Sequence, residues 1–168
     1  MDWFSTDSLT YRVVYDVRHA MPNVWWLIVI PLVLGPVGYG IYRQAHRFDS
    51  SKPGFVGLFL MFMAGLGTLF VIGGSLLPYL GMRSHLARGA YRVREGTVRN
   101  FVPGDAGDHR SESWVLQSVS DSVNYSYSPS IVDAGYDQTA PHGGQVREGT
   151  RVRVWEVGGR IARLEIAQ

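Results

Sequence analysis

His109 and Glu112, with Asp105 and Asp108 just before them, are the residues whose types could bind a metal ion or run acid–base chemistry. A metal site needs ligands held in a fixed coordination geometry. These four follow Pro103-Gly104 on a polar loop whose spacing fixes no such geometry, so solvated loop polarity is their expected role and no metal is assigned. His142 sits in Pro141-His142-Gly143-Gly144, where flanking glycines can bring backbone donors and an imidazole close to an anion, although a glycine-requiring hairpin loop accounts for the same residues. There is no cysteine, which removes thiol nucleophiles, disulfides and thiolate metal sites. No paired carboxylates, Ser/His/Asp set or phosphate-binding glycine loop has recognisable context. We therefore assign no catalytic residue and no cofactor.

Aromatic residues are the other candidates. Phe101, Trp114, Tyr125, Tyr127 and Tyr136 are concentrated in the C-terminal half. Alternation in Asn124-Tyr-Ser-Tyr-Ser128 puts Tyr125 and Tyr127 on one face, as core if covered and as a binding patch if exposed. Trp114, Tyr125, Tyr127, Tyr136 and His142 are accordingly the candidate ligand- or partner-binding residues. The net charge is +2, and from Arg83 onward arginines and acids nearly balance, which argues against a nucleic-acid surface.

The element that must position all of these is an uncharged run from Gly54 to Met82, long enough for a membrane-spanning helix. Ala20 to Tyr42 also lacks charge, with Trp25 and Trp26 at one end and Tyr39 and Tyr42 at the other, an aromatic belt that fits a first span kinked by Pro31 and Pro36. Gly35, Gly38 and Gly40, with Ala64, Gly67, Thr68, Val71, Gly74 and Ser75, supply small-residue stripes for packing the two helices as a hairpin or against further copies. The acidic opening Met1-Asp2-Trp3 does not resemble a cleavable signal, so the first run is expected to be retained. Leu9 to Arg18 alternates, with Tyr11, Val13, Tyr15 and Val17 on one side, and reads as a short strand that joins the C-terminal sheet or, alternatively, as an interfacial segment.

Beyond the linker at Met82 to Gly89 the period changes to two. Strands are expected near 91–102, 114–119, 123–128, 151–157 and 161–166, the last two joined by Gly158-Gly159. Val-Arg-Glu-Gly-Thr occurs at both 93–97 and 146–150 as a turn-to-strand entry, with Gly96 and Gly149 expected in backbone angles unfavourable for other residues. The predicted fold is α+β: a strand or interfacial segment over 1–22, a two-helix transmembrane hairpin over 23–82 with spans at about 23–42 and 55–78, and a small all-β barrel or sandwich, OB-like, over 88–168. Arg12, Arg18, Arg83, Arg88, Arg92 and Arg94 outnumber Arg43, Arg47 and Lys52 of the connector, which favours a cytoplasmic over a periplasmic β domain by the positive-inside rule.

Gly96-Thr-Val98, Gly149-Thr-Arg-Val-Arg-Val154, Gly159-Arg-Ile161 and Leu164-Glu-Ile166 resemble the OB-like domain of NfeD-type proteins. The layout of two spans before a β-rich tail is similar to that of small uncharacterised bacterial membrane proteins. The resemblance implies a β barrel linked to stomatin/prohibitin-type membrane scaffolds. The segment from Val102 to Gln145 is longer than that pattern. The expected function is a membrane-anchored interaction or scaffold protein at the bacterial inner membrane. Its expected partners are the lipid bilayer and a protein, or its own copies through the spans. A membrane-tethered ligand-binding sensor is the alternative, and a hydrolase using His109, Glu112 or His142 is a third reading.

Overall fold

The computed structural model describes residues 10–21, 25–47, 51–105, 107, 110–129 and 134–168. These form two compact units, Met1–Ala20 with Gly81–Gln168, and Met21–Leu80.

The first unit is built on six antiparallel strands. They are β1 (Tyr11–Asp16), β2 (Arg92–Val102), β3 (Glu112–Gln117), β4 (Ser122–Tyr127), β5 (Arg151–Val157) and β6 (Arg160–Ala167), in the spatial order β1-β6-β5-β2-β3-β4. Period-2 alternation puts Val98, Trp114, Leu116, Val152, Val154 and Leu164 on one face, where each is at most 1% exposed. Gly158 and Gly159 turn β5 into β6 with φ of +57° and +81°, left-handed values that glycine adopts without steric cost.

The opposite face is a ladder of opposite charges. Glu95 bonds Arg151 at 3.1 Å and Arg153 at 3.0 Å, Arg153 also faces Glu165 at 3.7 Å, and Arg163 bridges Glu165 to Asp16. Arg153 stacks over the Tyr11 ring and Arg163 over Trp155.

Three expectations for this unit change. The sheet is not closed: β1 and β4 are both edges, so it is neither a barrel nor a sandwich. The alternation predicted through Leu9–Arg18 is interrupted by a register shift between Val13 and Tyr15. That bulge leaves Tyr11, bonded to Glu95, and Val13, opposite Glu165, on the charged face and turns Tyr15 onto the core face beside Leu164. Gly149 has the expected positive φ of +79°, but Gly96 does not; a side chain there would strike the Gln117 carbonyl, so Gly96 is required for close strand approach.

In the second unit a 3-10 turn at Trp25–Ile28 leads into α1 (Val29–Arg47), and α2 (Ser51–Val71) returns alongside it. The helices pack backbone to backbone: a Cβ on Gly57 would lie 2.6 Å from both the Gly38 carbonyl and the Tyr42 nitrogen, while Gly35 faces Ala64 and Gly54 faces Ala45. A π turn at Ile72–Leu76 interrupts the long helix before α3 (Leu77–Ala87).

Among the described residues one helix, Pro53–Ala87, is long and apolar enough to cross a membrane. Two such helices are expected from the sequence; α1 does not reach that combination of length and apolarity. The described part of the first apolar run is divided between the 3-10 turn and α1; α1 carries Pro31, Pro36, Gly35, Gly38 and Gly40 and continues past the run to a last turn with His46 and Arg47.

Candidate functional site at the open sheet edge

The two sheet edges differ in how they are protected. β1 carries Arg12 and the bulge, and ends against Arg18, which pairs with Asp16 at 2.6 Å. β4, Ser-Val-Asn-Tyr-Ser-Tyr, has no charge, no proline and no bulge. Charges and bulges are the devices that block pairing with a foreign strand, so β4 is the less protected edge.

Its pairing phase follows from the hairpin turn. The Ser118 N–H donates to the Asp121 carbonyl at 2.8 Å, which makes these two a hydrogen-bonded pair. Counting along the register, Val123, Tyr125 and Tyr127 direct their backbone groups to Leu116, Trp114 and Glu112 of β3. The N–H and C=O groups of Asn124 and Ser126 therefore point outward, and no described strand pairs with that side of β4.

The outward groups border a groove of about 270 Å³. One wall is Asn124 to Ser128; the other is Ala134 to Asp137 together with Gly159 to Ile161. The far wall is anchored to β6, because the Tyr136 N–H donates to the Ile161 carbonyl at 3.0 Å. The next carbonyl, that of Ala162, accepts the Val17 N–H where β1 leaves the sheet. The groove therefore lies between the outward side of β4 and a segment fastened to the start of β6.

Aromatic rings support it. Tyr136 packs edge-on against Tyr15 from one edge strand at 5.5 Å and against Tyr127 from the other at 5.0 Å. Behind them, the Trp114 indole N–H donates to the Tyr127 hydroxyl at 3.0 Å. That hydroxyl donates to Glu112 Oε1 at 2.6 Å, and the Ala140 backbone N–H donates to Glu112 Oε2 at 2.6 Å. Glu112 is fully buried, so these bonds replace the water its carboxylate has lost. Burial, joined by the neighbouring Tyr136 and Glu112, pushes the Tyr127 phenol far above its ordinary range, and burial foremost pushes Tyr136 up to about 12. Both phenols stay neutral. Tyr125 donates to Glu156 at 2.9 Å, and Glu156 also holds Arg94 at 3.0 Å, which in turn pairs with Asp121; burial and the Glu156 bond raise its phenol as well.

Of the candidate residues, Tyr125, Tyr127 and Tyr136 come together at the groove, while Trp114 is fully buried beneath them. His142 is elsewhere: its Nδ1 lies 2.8 Å from the Thr139 hydroxyl within the turn that covers the core. Glu112 is engaged in the buried network, Asp105 accepts the Arg110 N–H at 3.1 Å, and Asp108 and His109 lie outside the described residues. Among the described residues no three His, Asp or Glu side chains converge as metal ligands. The outward backbone of Asn124 and Ser126 was missed in the sequence, although an uncharged serine-rich alternating strand ahead of Pro129 was its signal.

Fold and groove together define a class: an α+β chain joining one long apolar helix to an antiparallel sheet open at an unprotected edge. No protein family, curated protein or solved structure matches the chain.

Proposed function

We propose that this is a membrane-anchored interaction protein without catalytic activity, which holds the β unit at the cytoplasmic face of a bacterial inner membrane for a protein partner. The observation that carries the reading is the pairing of β1 with β6. β1 precedes the helices and β6 follows them, so in a chain threaded through a bilayer both strands must be on one side and the number of crossings between them must be even. With Pro53–Ala87 as one crossing, the 3-10 turn and α1 supply the return. Rises of about 2.0 Å per residue for the turn and about 1.5 Å for the helix give Trp25 to Tyr42 a length of about 29 Å, enough for a hydrocarbon core of about 30 Å. The tight Gly38–Gly57 approach supports insertion as a pair, since close contact is what joins helices in lipid.

Phe55, Leu58, Phe62, Leu66, Leu69 and Phe70 are exposed along α2, and lipid is the solvent suited to them. Arginines flanking the β unit favour the cytoplasmic side. A scaffolding role is supported by the open β4 edge and by the local engagement of Glu112 and His142.

Single-cysteine labelling tests the proposal, because the natural chain has no cysteine to remove. In intact and permeabilised cells, Thr10→Cys and Gln168→Cys should share one pattern of accessibility to an impermeant reagent, and Gln44→Cys should show the opposite one. One pattern at all three sites, with release of the chain by alkaline carbonate, would refute membrane anchoring.

A further inference from the structure

Resting on the interaction reading above, we infer that the groove beside β4 is a strand-addition site that takes an extended, uncharged segment of a partner protein. The backbone of Asn124 and Ser126 offers paired donors and acceptors at the spacing an antiparallel strand requires. The far wall, at Gly135, Tyr136 and Ile161, is already fastened to β6, so the opening is bounded on both sides. That confinement selects a single chain in extended conformation over the edge of another folded sheet, including that of a second copy.

Charge selects the chemistry of the segment. β4 contributes no charged side chain, and the groove's charged residues, Asp137 and Arg160, are one of each sign and already engaged. A charged residue facing inward would lose water without gaining a partner. Inward positions of the added strand face Tyr127 and Tyr136, which favours apolar or aromatic side chains there. The β1 edge, with Arg12 bonded to Gln145 and its bulge, does not offer the same site.

The experiment uses the full chain in detergent micelles and a fluorescent peptide based on β3, the strand that β4 already accepts. The peptide is Gln-Ser-Trp-Val-Leu-Gln, capped at both ends, in which Glu112 is replaced by Gln. Binding is followed by anisotropy and by hydrogen exchange. The expected result is saturable binding with new protection at the Asn124 and Ser126 amides, weakened about tenfold in Ser126→Pro through loss of one outward N–H and its neighbouring bond. Unchanged protection of Val123, Tyr125 and Tyr127 in that variant shows that β4 is still paired with β3. If Ser126→Pro disturbs that pairing, Asn124→Pro gives the same comparison. A peptide with Lys in place of Trp should bind at least tenfold more weakly. Absence of binding, protection appearing at β1 instead, or binding indifferent to both proline variants would overturn the inference. Because the assay is done in detergent, these results are independent of the cysteine labelling that tests membrane anchoring.

Discussion

Tyr127→Phe removes one oxygen and leaves two buried groups without their partner. The Trp114 indole N–H loses its acceptor, and Glu112 Oε1 loses a 2.6 Å hydrogen bond at a carboxylate that is fully buried. A buried neutral donor left unsatisfied costs about 1–3 kcal/mol, and a hydrogen bond to a charged group is worth about 1.5–3 kcal/mol. Tyr127 borders the groove, so water can reach the site and recover part of that loss. The expected net cost is about 2–4 kcal/mol, a large share of the roughly 5–15 kcal/mol that holds a typical domain together. Tyr125→Phe is the internal comparison: Glu156 keeps its Arg94 partner when that hydroxyl is lost, so the cost should be only about 1 kcal/mol. Glu112→Gln should be milder than Glu112→Ala, because the amide still accepts the Ala140 N–H and can donate to the Tyr127 oxygen. Urea unfolding of the full chain in detergent, followed by near-UV circular dichroism and tryptophan fluorescence, measures all four. A Tyr127→Phe change under about 0.5 kcal/mol at unchanged m-value, or a larger loss from Tyr125→Phe, would refute the claim that this network fastens β3 to β4 and the covering turn.

Further outcomes follow from other parts of the molecule. For Asp16, burial acts to raise the carboxyl, but its Arg18 hydrogen bonds and the charges of Arg18 and Arg163 outweigh burial and hold it below the usual range; Glu95 is held low chiefly by the Tyr11 hydroxyl, then by Arg153 and Arg151 against burial. Both carboxylates therefore contribute stability that is present above the unfolded value of about 4 and is lost as pH falls through their lower folded values. The denaturation midpoint of the sheet should drop between about pH 5 and pH 3, and Asp16→Asn with Glu95→Gln should flatten that slope; an equal slope in the double variant would contradict the ladder. The Ala45→Cys, Gly54→Cys pair should oxidise readily, since a Cβ at Gly54 stands 3.5 Å from that of Ala45, and the disulfide should hold the fragments together after trypsin cleaves at Arg47. Gly57→Ala should loosen the α1–α2 pair and slow that oxidation several-fold, because its Cβ meets backbone that cannot move aside. Gly96→Ala should cost about 2 kcal/mol or more in the urea assay through its clash with the Gln117 carbonyl, whereas a cost of a few tenths would show that β2 and β3 can separate freely.

Strand positions were legible where alternation was strong and glycine marked the turns, as at Arg151–Val157, Gly158-Gly159 and Arg160–Ala167. The N-terminal strand was legible too, but its facing was not: a bulge between Val13 and Tyr15 reverses the side-chain pattern, and bulges have no composition signature in six residues. Closure of the sheet is a tertiary property. Five strands fit a barrel pattern, yet whether the edges meet depends on how Tyr136 sits between Tyr15 and Tyr127, which local sequence does not encode. Tyr125 and Tyr127 were legible as sharing a face through their alternation, and Trp114 and Tyr136 only as part of an aromatic-rich segment. Their division into buried Trp114 and the tyrosines at the groove depended on which strand became an edge. The glycines beside His142 serve a turn, the loop role the sequence also offered: Gly143 has φ of +85° and Gly144 approaches the Gln138 carbonyl.

The proposal depends most on the chain leaving and returning to one side of a membrane. Fusing a reporter pair, one active only in the cytoplasm and one only outside it, to the N-terminus and separately after Gln168 reads this directly. The pairing of β1 with β6 predicts the same compartment for both ends, and the flanking arginines predict that it is the cytoplasm. Ends in opposite compartments would require a single crossing, separate β1 from β6, and contradict the account.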